Sequence, residues 1–113
     1  MKLLIKGIGL LGLLLLVASV NAQQNYYVDV TNDTGYTILF LNVSPADAQS
    51  WEEDVLGAEV LMDGDTFRVQ LNGYNSPIFD IRATDEDGDS YSFYGVNVAQ
   101  QDLTVTLADL DAD

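Results

Sequence analysis

Ile78-Phe79-Asp80-Ile81-Arg82-Ala83-Thr84-Asp85-Glu86-Asp87-Gly88-Asp89-Ser90-Tyr91-Ser92-Phe93-Tyr94 is a pair of alternating apolar and polar runs around an Asp- and Gly-rich break. Alternation with a period of two is the pattern of a strand that buries one face. Glu86-Asp87-Gly88 reads as a three-residue loop that ends in a left-handed glycine with a bulge. That loop sets Ala83 opposite Tyr91 and Ile81 opposite Phe93. A loop one residue shorter or longer would oppose Ile81 to Ser92 and turn the apolar set away from its own core, so hydrophobicity selects the odd loop.

Working outward, further β-like runs lie between turn residues. Tyr26–Asn32, Tyr36–Val43, Ala58–Met62, Thr66–Leu71, Ile78–Thr84, Ser90–Val98 and Leu103–Leu107 are rich in β-branched and aromatic residues. Tyr36–Val43 is apolar on both faces, as a central strand is. Asp33-Thr34-Gly35 predicts a hairpin that pairs Val30 with Ile38 and Val28 with Phe40. Asp63-Gly64 predicts a two-residue hairpin that sets Val60 opposite Phe67 and Ala58 opposite Val69. Ser44-Pro45-Ala46-Asp47 carries a capping serine and a proline at the first helical position. With Ala48, Trp51 and Val55 at helical spacing, it predicts one short helix near residues 45–55, Trp51 plugging the core. The expected fold is all-β: an antiparallel two-sheet sandwich of immunoglobulin-like type, about seven strands, in a single domain over 23–113. Its expected core is Val28, Val30, Ile38, Phe40, Val60, Phe67, Val69, Ile81, Phe93 and Val105.

Trp51-Glu52-Glu53-Asp54-Val55-Leu56-Gly57, then Leu61, Gly64 and Phe67, then Asp80-Ile81-Arg82 with Asp85, Asp87, Gly88 and Tyr91, form a recurring arrangement. It resembles a group of small exported bacterial domains with a W-x-x-D-x-L-G … D-x-R-x-x-D-x-D-G-x-x-Y pattern, from about Val28 to Val98. Those domains often have Gly after the Trp, where this chain has Glu52. The resemblance implies a compact exported domain and carries no activity with it.

Met1–Ala22 has the three parts of a secretory leader: Lys2 and Lys6, an uncharged Leu-rich run from Gly7 to Val20, and Val20-Asn21-Ala22 as the small-residue exit. The uncharged run is shorter than the ~20 residues that cross a bilayer, so cleavage is expected and membrane anchoring is not. The expected location is the periplasm or the extracellular medium. The whole chain carries a net charge of −14; loss of Lys2 and Lys6 takes it to −16, with Arg68 and Arg82 the remaining cations. Such a charge repels nucleic acid and anionic membranes and favours a cationic partner or a metal ion, while the reading preferred for the overall charge is solubility, or a salty medium in which surface carboxylates stay hydrated. There is no cysteine, so disulfides and lipid attachment at a cysteine are excluded.

Beyond the leader the chain has no His, Cys or Lys. That removes the usual bases, thiol nucleophiles, zinc ligands and Schiff-base chemistry. A carboxylate pair could act as acid and base, but so small a domain has little depth to raise one carboxyl's pKa. The expectation is a non-enzymatic binding or interaction module for a protein or glycan, with an acidic inhibitor or companion of a cationic exported protein as the alternative. Tyr26, Tyr27, Tyr74 and Tyr94 are candidate stacking residues, although Tyr also belongs half-buried in strands.

The candidate metal ligands are Asp85, Asp87 and Asp89. The register sets Asp85 across from Asp89 with Asp87 at the tip, and like charges facing one another need solvation or a cation. Asp-x-Asp-Gly-Asp resembles the opening of an EF-hand loop, so calcium is the candidate cofactor, at ~10⁻⁴–10⁻³ M, and no other cofactor is indicated. Ser90 stands where that loop has glycine, and Val96 where it has its bidentate Glu. The competing reading is an Asp-rich turn in which Asp85 bonds local amides.

Overall fold

The computed structural model describes residues 22–112, so the leader read at Met1–Ala22 lies, but for its last residue, outside them. The elements are β1 (Gln24–Asp33), β2 (Ile38–Pro45), β3 (Thr66–Tyr74), β4 (Ile78–Asp85), β5 (Ser90–Asn97) and β6 (Leu103–Thr106), followed by a 3₁₀ turn at Leu107–Asp109. They form two three-stranded sheets, ordered β3-β1-β6 and β2-β4-β5. Packed face to face, these make the all-β two-sheet sandwich that the alternation implies. Among the described residues no helix is long and apolar enough to cross a membrane.

The hairpin of β4 and β5 has the register read from its loop, with Ile81 paired to Phe93, Ala83 to Tyr91 and Thr84 to Ser90. Around it the sandwich departs from the expected pairing. β1 and β2 do not form a hairpin; they belong to opposite sheets, and Val30 pairs with Phe67 and, in the parallel direction, with Leu103. Asn32 is the cause. Its fully buried amide donates to the carbonyls of Tyr36 (2.7 Å) and Leu61 (2.9 Å) and accepts from the Thr34 hydroxyl (2.8 Å). The 33–37 stretch therefore arches from one sheet to the other.

Ala58–Met62 is not a strand. Leu61 makes one isolated bridge with Ile38, and β3 pairs with β1 instead. The Asp63-Gly64 turn forms, with the Asp65 amide donating to Met62 O at 3.0 Å and Gly64 at φ +89°, but it docks on β1: the Gly64 amide donates to Asn32 O at 2.7 Å. Among the described residues six strands replace the seven expected, and the β1–β6 pair is parallel rather than antiparallel.

The helix near 45–55 is absent as well. Ser44 and Pro45 remain in β2, paired with Asp80 and Phe79, and the Ser44 hydroxyl accepts from the Glu52 amide (2.8 Å) rather than capping a helix. Strand pairing outweighs the local capping signal. The connection that results is pinned by Asp54. Its Oδ1 accepts from the amides of Leu41 (2.7 Å) and Leu56 (3.1 Å), and its Oδ2 from Gly57 (3.0 Å). Leu56 and Leu61, not Trp51, enter the core from this segment.

The core comprises Val28, Val30, Ile38, Leu41, Val43, Leu56, Leu61, Val69, Leu71, Phe79, Ile81, Ala83, Tyr91, Val96, Val98, Leu103 and Val105. Two expected members are outside it: Phe40 and Val60 are each 50% exposed. An irregularity between Ile38 and Phe40 shifts β2 against β4 and turns Leu41 and Val43 inward. Phe67 and Phe93 pack against the core half-buried.

Candidate functional site

The β4–β5 loop brings its three aspartates together. One carboxylate oxygen from each of Asp85, Asp87 and Asp89 lies within 4.8 Å of the others, close enough to hold a metal ion. Their environments differ sharply. Asp87 and Asp89 are exposed, whereas Asp85 is 2% exposed. The Asp85 carboxylate is already supplied with donors: its Oδ1 accepts from the amides of Asp87 and Asp89, both at 3.0 Å, and its Oδ2 from the Tyr91 hydroxyl at 2.8 Å. The turn closes with the Gly88 amide on Asp85 O (3.0 Å), and Gly88 sits at φ +83°, where a side chain is strained. Burial, and then the bond to Asp85, push the Tyr91 hydroxyl up to about 12, so it stays a donor at any ordinary pH. Glu86 ties the loop to the arch through its amide on Thr37 O (2.8 Å) and its carboxylate on the Thr37 amide (2.8 Å).

Both turn readings therefore share one geometry. Asp85 is the internal latch of the loop, as local amide bonding requires, and the same latch holds three carboxylates around one point. The buried Tyr91 hydroxyl as the partner of Asp85 was not legible in the sequence; the signal was only their spacing across the predicted hairpin.

A second group lies on the outer face of the β2-β4-β5 sheet. Trp51 is half-buried there, with its ring centroid 6.1 Å from that of Tyr94 at an interplanar angle of 42°. Arg82 Cζ stands 4.8 Å from the Trp51 ring centroid, in cation–π contact. The Arg82 Nε is buried and has no hydrogen-bond partner, so the guanidinium is held by the aromatic contact and by the charge of nearby Asp111. Beside these residues Asp111 closes the edge of β5: its Oδ2 accepts from the hydroxyls of Ser90 and Ser92, both at 2.7 Å, and its Oδ1 from the Ser92 amide at 3.1 Å. Burial works against the Asp111 carboxylate, but those hydroxyls, the Ser92 amide and the charge of Arg82 hold its pKa below the usual range.

The other arginine is engaged too. Arg68 donates from Nε and Nη2 to the two oxygens of Asp29 at 2.8 and 2.9 Å, and its Cζ lies 4.0 Å from the Tyr27 ring centroid. The hydrogen bonds from Arg68 hold the Asp29 carboxyl below its ordinary range. Of the candidate stacking residues, Tyr27 is thus occupied by Arg68, and Tyr74 packs edge-on to Phe79 at 5.0 Å. Tyr94, at 71% exposure, is open. No protein-family model, curated protein or solved structure matches the chain.

Proposed function

We propose that the protein is an exported, non-enzymatic interaction module whose partner presents a cationic surface. The observation that carries this reading is the fate of its positive charge. Arg68 is held by Asp29 and Tyr27, and Arg82 by the Trp51 ring, so the charge left free to meet a partner is carboxylate. A surface of one sign speeds encounter with the opposite sign and repels its own. Export rests on the leader pattern of Met1–Ala22.

The test is binding of the purified mature chain to a panel of basic, neutral and acidic proteins at low and high salt. Association with basic members that weakens steeply as salt rises is the expected result. Salt-independent capture of neutral members, or turnover of a substrate by the pure protein, would count against it.

The aspartate loop supports a second, structural role: weak calcium binding that stiffens the β4–β5 turn. Its support is the 4.8 Å grouping of the three carboxylates. Calcium at millimolar concentration should then raise the melting temperature by mass action. Asp87→Asn, which leaves the Asp85 latch intact, should abolish that rise. Superimposable melting curves in calcium and in chelator would leave the loop as an amide-latched turn alone.

A further inference from the structure

We infer that the cleft between Trp51 and Tyr94, with Asp80 in its wall, seats one lysine or arginine side chain of the cationic partner; this rests on the reading above and gives it a site. The cleft measures about 190 Å³, and Ser44, Gln49, Ser50, Trp51, Asp80 and Tyr94 line it. That is below the roughly 300–1,000 Å³ of pockets for small organic ligands, and suits a single long side chain. Trp51 and Tyr94, with ring centroids 6.1 Å apart and planes tilted by 42°, both line the cleft, and an aromatic ring attracts a cation that reaches its face. Asp80 is the charged residue lining the cleft. Its Oδ1 accepts from the Gly95 amide at 2.9 Å, which fixes the carboxylate, and its Oδ2 makes no hydrogen bond among the described residues.

The chain has already placed one cation on this indole, since Arg82 stacks on it from outside the cleft lining. An incoming ammonium or guanidinium meets the free oxygen of Asp80, so the second positive charge is balanced where it lands. The connection that carries Trp51 also holds Asp47, Glu52, Glu53 and Asp54, which makes its local field negative. An anionic ligand is repelled by that field. A neutral sugar ring would fit the aromatic pair but leave the charge of the cleft unused.

Trp51 is the single tryptophan of the chain, so its emission reports this cleft alone. The experiment titrates the intact mature protein with a tri-lysine peptide at low salt, with the side-chain-acetylated peptide and a neutral hexasaccharide in parallel. A saturable change in Trp51 emission with tri-lysine only is expected. Asp80→Asn and Tyr94→Ala should each weaken it about tenfold. Asn at position 80 keeps an acceptor for the Gly95 amide, and an unchanged melting temperature separates lost binding from lost folding. Asp65→Asn removes the same charge from a residue that lines no part of the cleft and should change affinity by less than about twofold. Equal weakening by Asp80→Asn and Asp65→Asn would mean diffuse attraction, overturning the cleft while the cationic-partner reading stands. Binding of basic proteins with no response of Trp51 to tri-lysine would do the same. A response to the hexasaccharide in place of tri-lysine would make the cleft a glycan site, and no association with any cationic probe at low salt would remove both proposals.

Discussion

Phe79→Ala is expected to cost about 3–5 kcal/mol of folding stability, the range for emptying a fully buried aromatic site. Phe79 is 0% exposed, stands in β4 between Pro45 and Val96, and packs edge-on to Tyr74 at 5.0 Å. The surrounding strands are held by ladders on both sides, so the cavity cannot collapse freely. Domains of this size have about 5–15 kcal/mol in total, so the mutant should lose a large share of it. In thermal melts the drop should exceed about 10 °C. Phe67→Ala and Phe93→Ala, which open half-buried positions, should each cost less than Phe79→Ala. If all three melt alike, Phe79 does not occupy the centre of the core.

Removing the latch of the aspartate loop should have a comparable effect. Asp85→Ala strips the acceptor from two amides and from a buried tyrosine hydroxyl at once. Hydrogen bonds to a charged group contribute about 1.5–3 kcal/mol each; water can re-pair the two loop amides but not the buried Tyr91 hydroxyl, so the loss should lie near the lower bound for three such bonds, about 4–5 kcal/mol. Asp85→Asn retains one acceptor oxygen and should cost distinctly less. Tyr91→Phe, which empties one of the three bonds, should lie nearer to Asn than to Ala. Chemical denaturation of the four proteins gives the ranking, and an Asp85→Ala protein as stable as the parent would mean that the loop is held by Glu86 and Gly88 without its carboxylate.

What the sequence disclosed follows from the range of the interactions involved. The β4–β5 hairpin was readable because its register is decided within seventeen residues, by alternation and by one glycine that must adopt a positive φ. The three aspartates came with it, since the same register brings their oxygens together. The partner of β1 was not readable. Asp33-Thr34-Gly35 has the composition of a hairpin turn, and only the Asn32 amide, bonded to Leu61 O twenty-nine residues away, turns it into an arch between sheets. The capping signal at Ser44-Pro45 was overridden in the same way, by pairing with Asp80 and Phe79 far along the chain. Phe40 was misplaced because a strand irregularity exchanges faces without leaving a mark on hydrophobicity. Trp51 follows the same logic: an indole at helical spacing reads as a core plug, but with no helix formed it lies half-buried against Arg82 and Tyr94 on the outer face of the sheet.

The parallel pairing of the first and last strands has a mechanical consequence. β6 runs alongside the second half of β1 in the same direction, from Val30 beside Leu103 to Asp33 beside Thr106. The described chain therefore enters at one pole of the sandwich and leaves β6 toward the other. A pull between the two ends drags β1 and β6 in opposite directions along their common axis. Their slanted ladder is then loaded in shear, so its bonds resist together instead of opening one after another. Before that load reaches β6 it must first strip Asp111 from Ser90 and Ser92, which lie on the opposite sheet. A chain built this way is braced against traction on the two ends of its described residues.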